Sequence, residues 1–253
     1  MIAFTREVPR SLAECELTHV ERTPIDVDAA RAEHDAYENA LHTLGCEVRR
    51  LASPDDQPDA VFIEDAAVVL DELAIVTRPG AESRRGETAV VAGALEGLRP
   101  LARIAAPGTL DGGDVLRIGQ RIYVGVGGRT NESGVEQLRA IVAPHGYTVK
   151  AVAVRGALHL KTAVTQISND LVLVNPEWVD DTSFDGMGAL PVHPSEPFGA
   201  NALLVGDRLV HGAQYERTRR RLEAVNLRVV AVPMRELAKA EAGVTCCSIL
   251  VKP

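Results

Sequence analysis

Apolar stretches in this chain are short, and polar residues interrupt them in a repeating way. A brief apolar strand leads into a polar pivot, and a second apolar strand follows at once. Residues 60–70 and 112–118 are the clearest copies, with weaker ones at 158–167, 199–205 and 244–251. The pivots, Asp65, Asp114, Lys161, Asn201 and Cys246, fall roughly 40–50 residues apart, which is the signature of internal repeats. After residues 112–118 comes a second strand over 120–126, with Gly119 at the turn between them. Residues 131–143 then read as a helix: Asn131 is a capping residue, and Val135, Leu138, Ile141 and Val142 share one face. Further helices are predicted over 26–44, 84–98 and 215–224. Parallel strands need crossover helices, so the pattern predicts a cyclic α/β array whose five pivots point at one centre. A functional site would then be assembled from residues far apart in the chain.

Length and composition narrow this picture. The 253 residues can bury a substantial core, as one large α/β domain or two small ones. No linker separates two halves, so one domain over 1–253 is expected. With 46% apolar and 25% charged residues, the chain reads as an ordinary globular protein. Its start lacks a basic segment followed by an apolar one, so no signal peptide is expected. The apolar runs are too short to span a bilayer. Cys15, Cys46, Cys246 and Cys247 match neither a disulfide framework nor zinc spacing, which points to a reducing cytosol. A net charge of −8 argues against a nucleic-acid partner and is compatible with a cationic small molecule.

Four segments carry candidate chemistry, and each has a plain structural reading beside it. Thr245-Cys-Cys-Ser248 enters an apolar strand: either a thiolate nucleophile or small core side chains. His159, between Leu158 and Leu160 in a short predicted strand, is a catalyst or a satisfied core histidine. Asp111-Gly-Gly-Asp114 allows close backbone approach, or is a tight hairpin. In an extended 59–65 segment, Asp59, Val61, Ile63 and Asp65 would share one face and Glu64 the other. Acids beside Phe62, Val68 and Val69 need partners if buried. Arg84 and Arg129 would ordinarily be surface arginines.

Taken in order, the segments are more specific than any one alone. Val61-Phe-Ile-Glu-Asp65, Thr77-Arg-Pro-Gly-Ala-Glu-Ser-Arg-Arg-Gly-Glu87, Gly108-Thr-Leu-Asp-Gly-Gly-Asp114, Gly128-Arg-Thr-Asn131, Leu158-His-Leu-Lys161 and Val244-Thr-Cys-Cys-Ser248 span nearly the whole chain. The series resembles the dimethylarginine dimethylaminohydrolases of the guanidino-group-modifying superfamily. That resemblance implies an α/β propeller of five ββαβ units about a pseudo-fivefold axis. It implies Cys246 as nucleophile, His159 as acid/base and Asp111 as the acid that orients it. Asp65, helped by Glu64, would hold the guanidinium, Asp59 the α-ammonium, and Arg84 and Arg129 the α-carboxylate. Leu17, within residues 14–18, would sit on a lid. Ala240 and Glu241 would line the pocket, and they depart from the family's larger aliphatic residue followed by aspartate; Ala242 replaces its usual glycine.

The implied reaction needs no metal or organic cofactor. Methylarginine would give citrulline and an amine through a covalent thiouronium on Cys246, with His159 protonating the leaving amine. The acids at 59, 64, 65 and 111 would oppose a resident thiolate, so the substrate's own cation is expected to help activate the thiol. Three other readings stand beside this one. Arginine deimination belongs to the same superfamily, although the helical insertion common in such enzymes has no room here. A binding protein on the same scaffold, as in the ribosome anti-association factors, is the second. A metal site of Cys246, Cys247 and His159 is the third. A homodimer is compatible with the sequence.

Overall fold

The computed structural model describes residues 1–252, in five three-stranded sheets. In each sheet the central strand is antiparallel to one neighbour and parallel to the other. The second sheet holds β3 (Ala67–Val69), β4 (Ala74–Val76) and β5 (Leu101–Arg103); the third holds β6 (Val115–Ile118), β7 (Arg121–Val126) and β8 (Thr148–Ala153). The fourth holds β9 (Val164–Gln166), β10 (Leu171–Val174) and β11 (Gly188–Pro191). The fifth holds β12 (Ala202–Val205), β13 (Arg208–Gly212) and β14 (Arg228–Val232). The first sheet draws on both ends of the chain. β1 (Ile2–Arg6) lies parallel to β2 (Glu47–Leu51) and antiparallel to β15 (Ile249–Val251), with Ala3 opposite Val48 on one side and Leu250 on the other. This pairing closes the α/β propeller into a ring.

Helices make the parallel crossovers in four of the five units. α1 (Val27–Thr43) starts where the Asp26 carboxylate accepts the N–H groups of Asp28 and Ala29, and it buries Ala30, His34, Tyr37 and Leu41 along one stripe. α3 (Glu132–Val142) is capped by Asn131 and buries Val135, Leu138 and Val142. α2 (Thr88–Leu95) is shorter than the predicted 84–98: residues 83–87 form a 3-10 turn, and Gly97 at φ 83° helps end the helical segment. α5 (Glu216–Ala224) agrees with its prediction. The fourth unit has no crossover helix. Only a 3-10 turn, Asp181–Ser183, lies between β10 and β11, and Val179 and Phe184 pack on Val172 and Val174 in its place. The apolar core is accordingly divided among the contacts between neighbouring sheets: one cluster joins the second sheet to the third and another joins the fourth to the fifth.

Three of the pivots lie in turns rather than in extended chain. Ile63–Ala66 and Gly112–Asp114 are 3-10 turns, and Leu160–Ala163 is a single helical turn, α4. Each leads directly into the innermost strand of its sheet. Two expectations therefore change. Asp65 and Glu64 do not alternate along a strand; they follow one another in a turn, and both are buried. His159 stands outside any strand, as the extended residue just before α4, at φ −132° and ψ 159°. A run of three or four residues is too short to carry a helical period, so alternation was the only pattern visible there.

Candidate active site

The turns converge at one end of the ring, and Gly113 lets them meet. A Cβ at Gly113 would stand 2.7 Å from His159 Nδ1 and 2.8 Å from Asp65 Oδ1. Only a glycine leaves room for the imidazole to lie against this backbone. His159 Nε2 is 2.9 Å from Asp111 Oδ2 and 3.8 Å from Asp65 Oδ1. Asp111 Oδ1 accepts the Gly80 N–H at 2.8 Å, which orients the carboxylate. Asp114 locks the two segments together. Its Oδ1 accepts the Leu160 N–H at 3.0 Å and its Oδ2 the Thr130 hydroxyl at 2.6 Å, while Thr130 Oγ1 accepts the Asp111 N–H at 3.1 Å.

This packing determines protonation. Burial alone would lower the His159 pKa, but Asp65, the Asp111 hydrogen bond and Asp114 overcome it and raise the pKa to about 9. His159 is thus an imidazolium at neutral pH, with Nδ1–H left for proton transfer. Burial would likewise protonate Asp65, yet His159 and Arg84 hold it ionised, well below the usual carboxylate range. For Asp114 burial wins, and the pKa rises to about 6. Cys246 is half-buried on the final turn before β15. Its Sγ accepts the Gly243 N–H at 3.4 Å, and its carbonyl accepts the Glu64 N–H at 3.2 Å. Burial, then Glu64 and Asp65, push the thiol up to about 12. The resting pair is a neutral thiol and a charged imidazole.

Beneath this layer Glu64 bridges Lys161 at 2.6 Å and the Thr245 hydroxyl at 2.8 Å, and Asn201 accepts the Thr245 N–H at 3.0 Å. A cavity of 270 Å³ lies along the ring axis, walled by residues of all five innermost strands and headed by Glu64, Lys161 and Thr245. It touches none of Cys246, His159 and Asp111, so the chemistry sits outside this cavity.

The remaining predicted residues divide. Asp59 is buried, with Oδ2 accepting the Glu16 N–H at 3.2 Å. Arg129 reaches the same region: Nη2 is 3.2 Å from Glu16 Oε2, and the buried Nη1 has no hydrogen-bond partner and lies 3.8 Å from Asp111 Oδ2. Leu17 packs, half-buried, on the cluster that contains Ala240 and Ala242. Arg84 is not placed to clamp a ligand carboxylate. It is 4% exposed, pairs with Asp65 Oδ2 at 2.5 Å and Glu87 Oε2 at 2.9 Å, and donates to the carbonyls of Asp59 and Phe62. Both carboxylates are the protein's own, and through them Arg84 supports Asp65 in this structure. Glu241 is also turned from the pocket. At φ 59°, its Oε1 accepts the N–H groups of Thr18, His19 and Val20, which ties down this loop.

Asp65, Asp111 and His159 have the mutual spacing of a metal site. The Cys246, Cys247 and His159 combination is a poorer one, since Cys247 is buried and its Sγ faces the Gly243 carbonyl at 3.8 Å. A metal would need His159 as a neutral imidazole, whereas its pKa, raised to about 9, keeps it protonated here. Among the described residues, no helix is long and apolar enough to cross a membrane.

Comparison with known proteins agrees with this geometry. The family model for "N,N dimethylarginine dimethylhydrolase, eukaryotic" matches residues 20–185. The dimethylarginine dimethylaminohydrolase of Streptomyces coelicolor is 44% identical over 99% of this chain and 96% of its own length. The Pseudomonas aeruginosa enzyme, in a cysteine-to-serine variant complexed with citrulline, superposes with a TM-score of 0.93 at 34% identity, covering 98% of this chain and 97% of that one. A histidine-to-glycine variant of a dimethylarginine dimethylaminohydrolase, solved as its adduct with S-methyl-L-thiocitrulline, also gives 0.93 at 34% identity, covering 98% of each chain.

Proposed function

This chain belongs to the dimethylarginine dimethylaminohydrolase family, and on that basis we propose that it hydrolyses an Nω-methylated arginine to citrulline and methylamine or dimethylamine. The observation that carries the reading is the buried imidazolium of His159, held between Asp65 and Asp111 on the turn-lined pole that also bears the Cys246 thiol. An amine leaves a tetrahedral carbon only if protonated, and this site holds a proton for it.

In this mechanism the guanidinium binds against Asp65 and Glu64, and its charge favours loss of the Cys246 proton to solvent. The thiolate attacks the guanidino carbon. His159 then protonates the departing nitrogen, the C–N bond breaks, and a thiouronium remains on sulfur. Water attacks that carbon and gives a proton to the now neutral His159. Collapse forms the urea carbonyl as the hydroxyl proton passes to solvent, breaks the C–S bond, releases citrulline and restores the thiolate. Asp111 and Asp114 keep the imidazole in place through both steps, and Arg84 keeps Asp65 ionised and aimed. Asp59 and Arg129 take the α-ammonium and α-carboxylate. Positioning of this kind contributes much of the rate in such reactions. Four free thiols favour a reducing compartment, the cytosol.

The test is incubation with asymmetric dimethylarginine, monomethylarginine and arginine, with citrulline measured. Citrulline from the methylated compounds, and little from arginine, supports the reading. Efficient turnover of arginine alone would make this a deiminase, and none from any of the three would exclude the reaction.

A further inference from the structure

We propose that Glu16 is a specificity-determining residue, a resident stand-in for the amino-acid head group of the substrate. This rests on the assignment of Asp59 and Arg129 to the α-ammonium and α-carboxylate. Glu16 occupies both. Its main-chain N–H donates to Asp59 Oδ2 at 3.2 Å, and its Oε2 lies 3.2 Å from Arg129 Nη2. A single residue thus offers an N–H donor to the acid and a carboxylate to the guanidinium, as a zwitterionic head would.

The imitation is incomplete on the carboxylate side. Glu16 Oε1 is taken by the Ser83 hydroxyl, so only one oxygen serves Arg129. The buried Nη1 of Arg129 is left without an acceptor. A free α-carboxylate can engage both Nη groups, which a monodentate contact cannot match. The substrate therefore displaces Glu16 by better geometry.

The loop is built for that exchange. Arg22 donates to the carbonyls of Ala13 and Cys15 at 2.6 Å each on one side of Glu16, and Glu241 holds Thr18, His19 and Val20 on the other. Between these anchors the Glu16 side chain is 41% exposed. A pair so exposed to water is weak and exchangeable. Both contacts stand in the way of a complete amino acid. An amine that lacks the α-carboxylate competes only at Asp59 and leaves the Glu16 carboxylate on Arg129. Glu16 therefore narrows the advantage of amino acids over amines.

The experiment compares wild-type and Glu16→Gln proteins with monomethylarginine and with Nω-methylagmatine, which keeps the guanidine and chain but lacks the carboxylate. Citrulline affinity is measured in parallel by calorimetry, without turnover. KM for monomethylarginine and Kd for citrulline should both fall about two- to fivefold in the variant, with a smaller change for the amine. A lid merely loosened by the substitution would raise KM instead. An unchanged or raised citrulline Kd, or equal falls in KM for both compounds, overturns the role of Glu16. Absence of citrulline formation by the wild-type protein would overturn the reaction, a separate result that leaves the calorimetric comparison to decide on Glu16.

Discussion

Two regions of this molecule are built from the same parts, carboxylates paired with cations, and behave differently because water reaches only one of them. At the ring centre Asp65, Arg84, Glu87, His159 and Asp111 are all buried and mutually bonded. Beside them the lid acid Glu16, 41% exposed, touches Arg129 across a wet margin. Removing one partner from a buried pair leaves an uncompensated charge and is costly, whereas an exposed pair contributes 0–1 kcal/mol. The inner set can therefore hold protonation states fixed, and the outer set can exchange partners with a ligand.

The largest effect should come from the inner region. Cys246→Ser removes the proposed nucleophile and should lower turnover at least a thousandfold, with the fold retained by circular dichroism. Cys247→Ser should leave most activity, since its sulfur faces the Gly243 carbonyl. Substantial citrulline formation by the Cys246→Ser protein would move the nucleophile elsewhere.

Next in size is Arg84→Met. It strands Asp65 and Glu87 in a buried site, a change worth about 3–5 kcal/mol and roughly 10 °C in the unfolding midpoint. Activity would fall with it, because Asp65 then loses a cation that keeps it ionised. A variant with wild-type stability would show that the buried network tolerates an unpaired charge.

How much of this division can be read in the sequence depends on the range of the interactions. α1 and α3 are legible because a cap and an apolar stripe lie within one segment, Asp26 with Ala30 to Leu41 and Asn131 with Val135 to Val142. The order of Cys246, His159, Asp111 and Asp65 is legible through resemblance. The inward turn of Arg84 is not, since its choice between a ligand and Asp65 depends on a pairing formed only after the turns at 63–66 and 83–87 meet. Glu87 carries no signal of its own in the sequence for the same reason. Asp114 shows in the sequence as a repeat marker and as the second acid of the diglycine segment, and Lys161 as a repeat marker, but their bonds to Leu160 and Glu64 bridge separate units. Glu16 carries no local signal, because an acid in a polar loop is ordinary until Arg129 and Asp59 are beside it.

The pH dependence sharpens the contrast. His159 has its folded pKa raised from 6.5 to about 9, so its stabilising contribution is complete below 6.5 and is lost as pH rises through 9. The raised Cys246 pKa acts in the same direction at higher pH, since the unfolded thiol ionises first. The His159 contribution is at most about 3 kcal/mol. Urea unfolding from pH 6 to 9 should therefore show falling stability. Across the same range, inactivation by neutral iodoacetamide should rise with pH, following the small thiolate fraction. A cationic amidine such as chloroacetamidine should react faster at pH 7, and Asp65→Asn should remove that advantage. A rate with iodoacetamide that is flat across this range would mean a preformed thiolate.

The smallest effect belongs to the outer region and has the opposite sign to that of Glu16. Glu241 holds the lid through three N–H groups while its own backbone sits at φ 59°, a conformation that costs a residue other than glycine roughly 1 kcal/mol. That strain is sustained by what the carboxylate holds. Glu241→Gln keeps the backbone and the side-chain length and removes only the charge, so the three bonds weaken without a change of shape. The lid becomes less ordered in the free protein, and more chain entropy is lost when substrate closes it. KM for monomethylarginine should rise about two- to fivefold with kcat little changed, whereas Glu16→Gln should lower it. The double variant then separates the two acids. If Glu16 competes with substrate and Glu241 only shapes the loop, the two changes should largely cancel in KM. A fall in KM for Glu241→Gln would mean that this carboxylate, too, stands in the way of the ligand.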